Sequence, residues 1–381
     1  MTKIDPGNAA WLRAHNDRTA FRLLIEHGPL TRAQLGELSG MSKPTASQML
    51  ARLERADLVH AVGEASGSRG PAAVSYGIRT DRTTGVAVSM LADSMQCALV
   101  DATGTEHPVV EVPFEGVDRS PERDITRAVE AACAAVGSER AAVEVVTVGV
   151  QAAVWQERDT LSLTNTLPGW PSDGARGRIE AALGVSATIE NDVNLAAMAE
   201  RAIGVAQDAS TFVLLWLGDG IGAGVDLGGT ILRGVSGSAG EVGYLSLPAA
   251  TGASGVDATD LLGAPAICAL VDPSGDVAYA DALARLAGDS GALAAVADRI
   301  ALAIDPVLAV LDPEMVVLGG PTGVAGGDAL ADLVDDRIAR EAHPVLAVRA
   351  SSTGSQSVLL GARQLLAGQI RERLEARILA G

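Results

Sequence analysis

Aromatic side chains are scarce in this chain: four Trp, three Tyr and three Phe in 381 residues, against 48% hydrophobic residues overall. Its cores must therefore be filled by Ala, Val, Leu and Ile. Cysteine is nearly absent too. Cys97, Cys133 and Cys268 lie far apart, which excludes a disulfide framework and a paired-cysteine metal motif and suits buried thiols in a reducing compartment. Long apolar runs are missing as well. The most hydrophobic stretch, 291–320, is interrupted by Asp298, Arg299, Asp305, Pro306 and Asp312, so it does not read as a membrane span. The amino terminus, MTKIDPGNAAWLRAHN, has no apolar signal-peptide core. A soluble cytoplasmic protein of two or three domains is expected from this length.

Basic residues are outnumbered, and their placement is uneven. The net charge is −18, which taken alone argues against nucleic acid. Residues 1–80 nevertheless hold 10 Lys/Arg and 7 Asp/Glu, a net of +3, whereas the other 301 hold 19 and 40, a net of −21. Both lysines, Lys3 and Lys43, fall in the first segment. An acidic body with a mildly basic head suits a ligand-responsive DNA binder. It is also compatible with an ordinary acidic enzyme.

The first eighty residues carry three short helical patterns. Phe21, Leu24 and Ile25 form one apolar face, ended by Gly28-Pro29. Thr31 caps a second helix, with Leu35 and Leu38 expected inward. After the Gly40-Met41 turn, Ser42 caps a third, Pro44 sits in its first turn, and Met49, Leu50, Leu53 and Leu58 supply its buried side. Two β-like runs around a Gly/Ser/Arg tip follow. This order predicts a winged helix-turn-helix whose third helix enters the major groove. The candidate DNA contacts are Arg32, Ser42, Lys43, Thr45, Ser47, Gln48 and Arg52, with Arg69 on the wing tip. A small helical cap or dimerisation element is the plainer alternative.

From Gly85 onward, strands alternate with Ala-rich helices, which implies α/β layers with ligands at the strand ends. Five motifs recur in order: TNTLPGW at 164–170, ENDVN at 190–194, GDGIGAG at 218–224, GSAGEVGY at 237–244 and DPEMVVLGG at 312–320. At these residues the chain resembles the ROK family of bacterial sugar kinases and sugar-responsive regulators. The winged helix resembles the regulators, since the kinases lack one. The resemblance implies a winged helix-turn-helix (1–80) followed by a two-lobed actin-like, ribonuclease H-like α/β domain of sugar-kinase type. Its lobes would be 81–203, joined by a C-terminal helix 355–381, and 204–354.

Asn165, Asn191, Asp192, Glu241 and Tyr244 are the candidate sugar contacts. Amides and carboxylates can bond sugar hydroxyls bidentately, and Asp192 stands where the kinases hold their general base. Asn191-Asp192 also reads as a helix N-cap pair. Elsewhere the chemistry departs from the kinase pattern. In the hairpin at 85–104 the phosphate-binding turn is replaced by Ser89-Met90-Leu91-Ala92-Asp93, and Asp219 replaces a hydroxyl residue in the second glycine turn. Phosphoryl transfer depends on positioned donors and compensating charge, so no ATP is expected. The family's zinc-ligating His is Tyr244 here, and no Cys follows until Cys268, so no zinc is expected. A further family Glu falls near Thr259 and Asp260.

The expected function is a homo-oligomeric, sugar-responsive DNA-binding repressor without catalysis. Its partners would be double-stranded operator DNA, a sugar or sugar-derivative effector and a second copy of the chain, with no membrane. A bifunctional ATP-dependent sugar kinase is the enzyme alternative. A regulator that answers to a protein partner is the third reading.

Overall fold

The computed structural model describes residues 9–65, 73–114, 119–247, 255–274, 276–339 and 341–380. The head contains α1 (Ala9–His27), β1 (Leu30–Thr31), α2 (Arg32–Ser39), α3 (Lys43–Arg55), β2 (Val59–Ala65) and β3 (Ala73–Ile78). Its local stops are those the sequence suggests. Thr31 and Gln34 form a reciprocal capping box on α2, Gly40 closes that helix in the left-handed conformation, and the Ser42 side chain caps α3. Strands β2 and β3 pair antiparallel as a wing, and β1 adds to β3. Phe21, Leu24, Leu35, Met49, Leu50, Leu53 and Leu58 are buried together. Leu38 departs from its expected inward position and is 47% exposed, because that core is already closed by Leu35 and α3. The wing tip with Arg69 lies outside the described residues.

The body begins with the antiparallel hairpin β4 (Thr84–Met90) and β5 (Ser94–Val100), then β6 (Val110–Pro113), α4 (Pro121–Val136) and β7 (Val143–Val150). A small hairpin, β8 (Ala153–Trp155) and β9 (Thr160–Ser162), precedes α5 (Ala175–Leu183), β10 (Ser186–Asn191) and α6 (Asp192–Ile203). The first sheet has the order β10-β7-β4-β5-β6, parallel from β10 to β4. A second antiparallel hairpin, β11 (Thr211–Leu217) and β12 (Ile221–Leu227), opens the other half. It is followed by a two-stranded ribbon, β13 (Ser246–Leu247) and β14 (Val256–Asp257), and by α7 (Ala258–Leu262), α8 (Ala264–Val271), α9 (Tyr279–Leu286) and α10 (Ser290–Leu311). The half closes with β15 (Met315–Gly319), α11 (Gly320–Asp335), β16 (Ala347–Ala350) and α12 (Ser357–Ala380). Its sheet order, β12-β11-β15-β16, repeats the plan of the first: a hairpin, then parallel strands on one side.

Helix α12 returns to the first half and packs on α6, β4 and β7. Glycine makes the close approach possible: a Cβ at Gly361 would lie 1.8 Å from the Leu195 carbonyl oxygen on α6. The carboxylate of Glu200, 0% exposed, ties the far end of α6 to the start of α12. It accepts from the Ser351 hydroxyl at 2.6 Å, the Thr353 hydroxyl at 2.7 Å and the Val205 amide at 2.9 Å. These neutral donors supply what a buried carboxylate would otherwise lack. Among the described residues no helix is long and apolar enough to cross a membrane.

Candidate functional site

A cavity of about 410 Å³ opens at the ends of β10 and β11, beside the start of α6. Asn165, Asn191, Asp192, Glu241 and Tyr244 all line it, although they come from three separate stretches of chain. The elements that bring them together are identifiable. Strand β10 ends at Asn191, whose side-chain oxygen caps α6 by accepting from the Asn194 amide at 3.0 Å. Its amide nitrogen donates to the Ala152 carbonyl at 3.1 Å. Asn191 is therefore occupied at both ends of its amide group, and its first task is structural. Asp192 follows in the first turn of α6, 7% exposed, with one carboxylate oxygen bonded to the Val193 amide at 2.9 Å.

Glu241 reaches the cavity because two glycines let its loop lie against β12. A Cβ at Gly240, where φ is +91°, would fall 1.9 Å from the Ala223 carbonyl oxygen. In its place, the Gly240 carbonyl accepts from the Ala223 amide at 2.7 Å. At Gly243 a Cβ would meet the Ile221 carbonyl oxygen at 2.6 Å. The GIGAG glycines have a packing role of their own. Added Cβ atoms at Gly222 and Gly224 would press on Val193 and Ala197 of α6, at 3.1 and 2.7 Å. They let α6 lie directly on β12, which fixes the depth of Asp192.

Burial pushes the Asp192 carboxyl up to about 7, and the nearby Glu241 charge adds to the rise. Burial also raises Glu241 above the usual carboxylate range. Tyr244 stands at the mouth, 62% exposed, and exposed Asn165 forms part of the same wall. The Thr166 hydroxyl anchors Asn165's loop to the Gln151 carbonyl at 3.0 Å. The family-Glu position is filled by Thr259 and Asp260, both on the cavity wall.

Two features in and behind this wall were not singled out from the sequence. Glu190, 1% exposed, accepts from Arg233 Nε at 2.7 Å, Gln156 at 2.9 Å, Asn194 Nδ2 at 3.0 Å and the Asn191 amide at 3.0 Å. It holds the strand end that presents Asn191 and Asp192. The partners Gln156 and Arg233 are 34 and 43 residues away in the chain, and neither spacing carries a signal. Trp216 and Asp257 line the cavity itself. The glycine turn places Asp219 on the wall, whereas the Leu91–Asp93 turn of the first hairpin contributes nothing to it. Among the described residues no group of three or more His, Cys, Asp or Glu is placed to hold a metal ion.

On the head, Ser42, Lys43 and Gln48 are exposed at the start of α3, and Thr45 and Ser47 are half-buried beside them. Ser42 spends its hydroxyl on the cap, bonding Thr45 Oγ1 at 2.9 Å. Arg32 is exposed but donates to the Tyr76 hydroxyl and lies over its ring, 5.0 Å from the centroid. Arg52 departs from its expected role as a DNA contact. Its guanidinium makes two 2.7 Å bonds to Asp17, itself 6% exposed, so it is committed to neutralising a buried carboxylate between α1 and α3.

The sequence profile of the ROK family matches residues 86–369. The chain belongs to the ROK family. A MarR family profile matches residues 18–70, from within α1 to beyond the end of β2. A xylose repressor of Bacillus spizizenii is 23% identical over 255 residues, 64% of this chain and 63% of the repressor. The chain thus spans just under two thirds of that relative's length. The crystal structure of a ROK family transcriptional regulator, homolog of an E. coli MLC protein, superposes with a TM-score of 0.70 at 19% identity, over 97% of this chain and 100% of its own. A ROK hexokinase from Thermus thermophilus superposes with a TM-score of 0.62 at 25% identity, over 76% of this chain and 100% of its own. The fold is therefore an N-terminal helix-turn-helix followed by a ROK domain of actin-like sugar-kinase type. The part left uncovered by the hexokinase corresponds in size to the head.

Proposed function

We propose that this ROK protein is a sugar-responsive transcriptional repressor whose kinase-like domain binds its effector without transferring phosphate. The observation that carries the reading is the junction of two devices in one chain. A winged helix presents a polar first turn on α3, and a cavity gathers Asn165, Asp192, Glu241 and Tyr244 at the strand ends. The similarity to a xylose repressor supports it. In this reading residues 1–80 are the DNA-binding head, 81–203 with 355–381 one lobe and 204–354 the other. Lys43, Thr45, Ser47 and Gln48 contact the operator. Two copies bind an inverted repeat with half-sites about one helical turn (~34 Å) apart. The effector acts by favouring one arrangement of the heads, which requires different affinities for the two states.

Selection of bound duplexes from a random DNA library tests this reading, repeated with a panel of sugars. Enrichment of a two-fold repeat, and its release by a sugar, is expected. No enriched sequence at modest salt would remove the head's assignment.

One observation favours a second reading, a bifunctional sugar kinase. A carboxyl held near 7 at Asp192 is suited to accept a hydroxyl proton. Against it stands Asp219 in the glycine turn, whose carboxylate would repel a triphosphate. Sugar-dependent ATP turnover abolished by Asp192→Asn would establish the kinase.

A further inference from the structure

The charge of the cavity wall restricts what can occupy it. Five carboxylates line it, those of Asp192, Asp219, Glu241, Asp257 and Asp260, and no Lys, Arg or His does. None of the five has an ion-pair partner among the described residues, although most other buried acids of the body are matched. Glu190 meets Arg233, Asp226 meets Arg201, and Asp124 meets Arg119. Asp192 is the most telling. It is more than nine-tenths buried, faces the cavity, and its second carboxylate oxygen accepts no hydrogen bond from a described side chain. Arg233 is the nearest cation in chain order to Glu241, and its Nε is already held by Glu190.

A cavity bounded by low-dielectric walls and charges of one sign concentrates counter-ions of the other. The same charges disfavour an anionic ligand, so a sugar phosphate is a poor occupant. A bare metal ion is also disfavoured, since no three of these groups converge on one point. The carboxylates are spread around a volume of about 410 Å³, which suits a small polyhydroxylated molecule touching several of them at once. Asn165, Thr259 and Tyr244 supply neutral hydrogen-bonding groups on the same wall.

We propose that the effector is a cationic sugar, one carrying a protonated amine on the ring or in place of the ring oxygen. The amine faces Asp192 and Glu241, while Asp219, Asp257 and Asp260 draw the cation in from the mouth. This rests on the cavity being the effector site, and it goes further in naming the ligand's charge. Burial holds both inner carboxyls above their ordinary range, and a cation between them relieves that cost.

The test is calorimetric titration of the full chain at pH 7 with matched triplets. Glucosamine, galactosamine and mannosamine are each compared with the parent hexose and the uncharged N-acetyl form, and deoxynojirimycin is compared with glucose. At least one amine is expected to bind tenfold or more tighter than both of its uncharged counterparts. The Asp219→Asn/Asp260→Asn double variant, whose positions are solvent-exposed, is expected to shrink that ratio at least threefold while Tm stays unchanged. Amines that bind no tighter than their neutral counterparts would overturn the proposal. If a neutral sugar then still releases DNA, only the cationic class is lost and the effector-site reading stands. If no member of any triplet binds, both fall.

Discussion

Glu375 near the end of α12 is the main point where the head is fastened to the body, and it offers a quantitative test. Its carboxylate, 12% exposed, accepts from Arg18 at 3.0 and 2.6 Å and from Arg22 at 2.6 and 2.8 Å, both on α1. The two arginines hold the Glu375 carboxyl below its usual range. The Arg18 side chain is 34% exposed and that of Arg22 62%. The Arg22 pair is thus open to solvent and is assigned under ~1 kcal/mol, as for exposed ion pairs. The Arg18 pair is better shielded and is assigned ~1–2 kcal/mol, as for hydrogen bonds between charged groups. Glu375→Gln should therefore cost ~1–3 kcal/mol, felt mainly as loosening of the head. Because the folded carboxyl is held below its unfolded value, this stabilisation is present at neutral pH. It fades as pH falls below the ordinary glutamate value of ~4.3. The assay is a double-mutant cycle of Arg18→Ala and Glu375→Gln by thermal unfolding, read beside operator affinity with and without effector. Helix α12 also packs on α6, whose first residue is Asp192. The variant is thus expected to reduce the effector-induced change in DNA affinity more than the affinity itself. A coupling energy below ~0.3 kcal/mol, the limit of additivity, together with an unchanged effector response, would refute the reasoning.

Other consequences follow from single side chains. Asp192→Asn should stabilise the ligand-free protein at pH 8 by ~1–3 kcal/mol, since a carboxyl held at about 7 rather than 3.8 costs up to ~4 kcal/mol when ionised. That advantage should shrink as pH falls from 7 and vanish below about 3.8, and Tm measured against pH for both proteins checks it. Gly361→Ala should cost ~2 kcal/mol or more by forcing α12 off Leu195, seen as a lower denaturation midpoint. Lys43→Ala should leave Tm unchanged and flatten the salt dependence of operator binding by about one unit of slope. Arg52→Ala should lower Tm by stranding the buried Asp17 carboxylate, at a cost of ~3 kcal/mol. Equal behaviour of the two variants would contradict the separate roles given to these cations.

Much of the head was legible along the chain because its signals are local. Thr31, Gly40 and Ser42 act on backbone within four residues of themselves, and Met49, Leu50 and Leu53 are spaced for one helix face. The same reading misplaced Leu38, and it put Arg52 on the DNA side of α3. Helical spacing states which residues share a face, whereas the neighbour across that face, here Asp17 from α1, is chosen by packing. In the body, four of the five motifs pointed to the cavity because each has a strand end or turn of its own, whereas DPEMVVLGG supplies β15 and lines none of it. Glu190 and its four donors escaped notice since a buried carboxylate's partners come from wherever the chain returns.

The sequence by itself determined the order of elements, the acidic body and basic head, and the glycines at Gly222, Gly224, Gly240 and Gly361. Periodicity, capping chemistry and charge count are all properties of neighbours in the chain. Tertiary structure alone decided that five carboxylates from four separate segments face one volume with no cation among them. It likewise decided that Glu375, at the far end of the chain, fastens α1. Both depend on where distant segments meet, because the cost of a buried or unpaired charge is set by its surroundings in space.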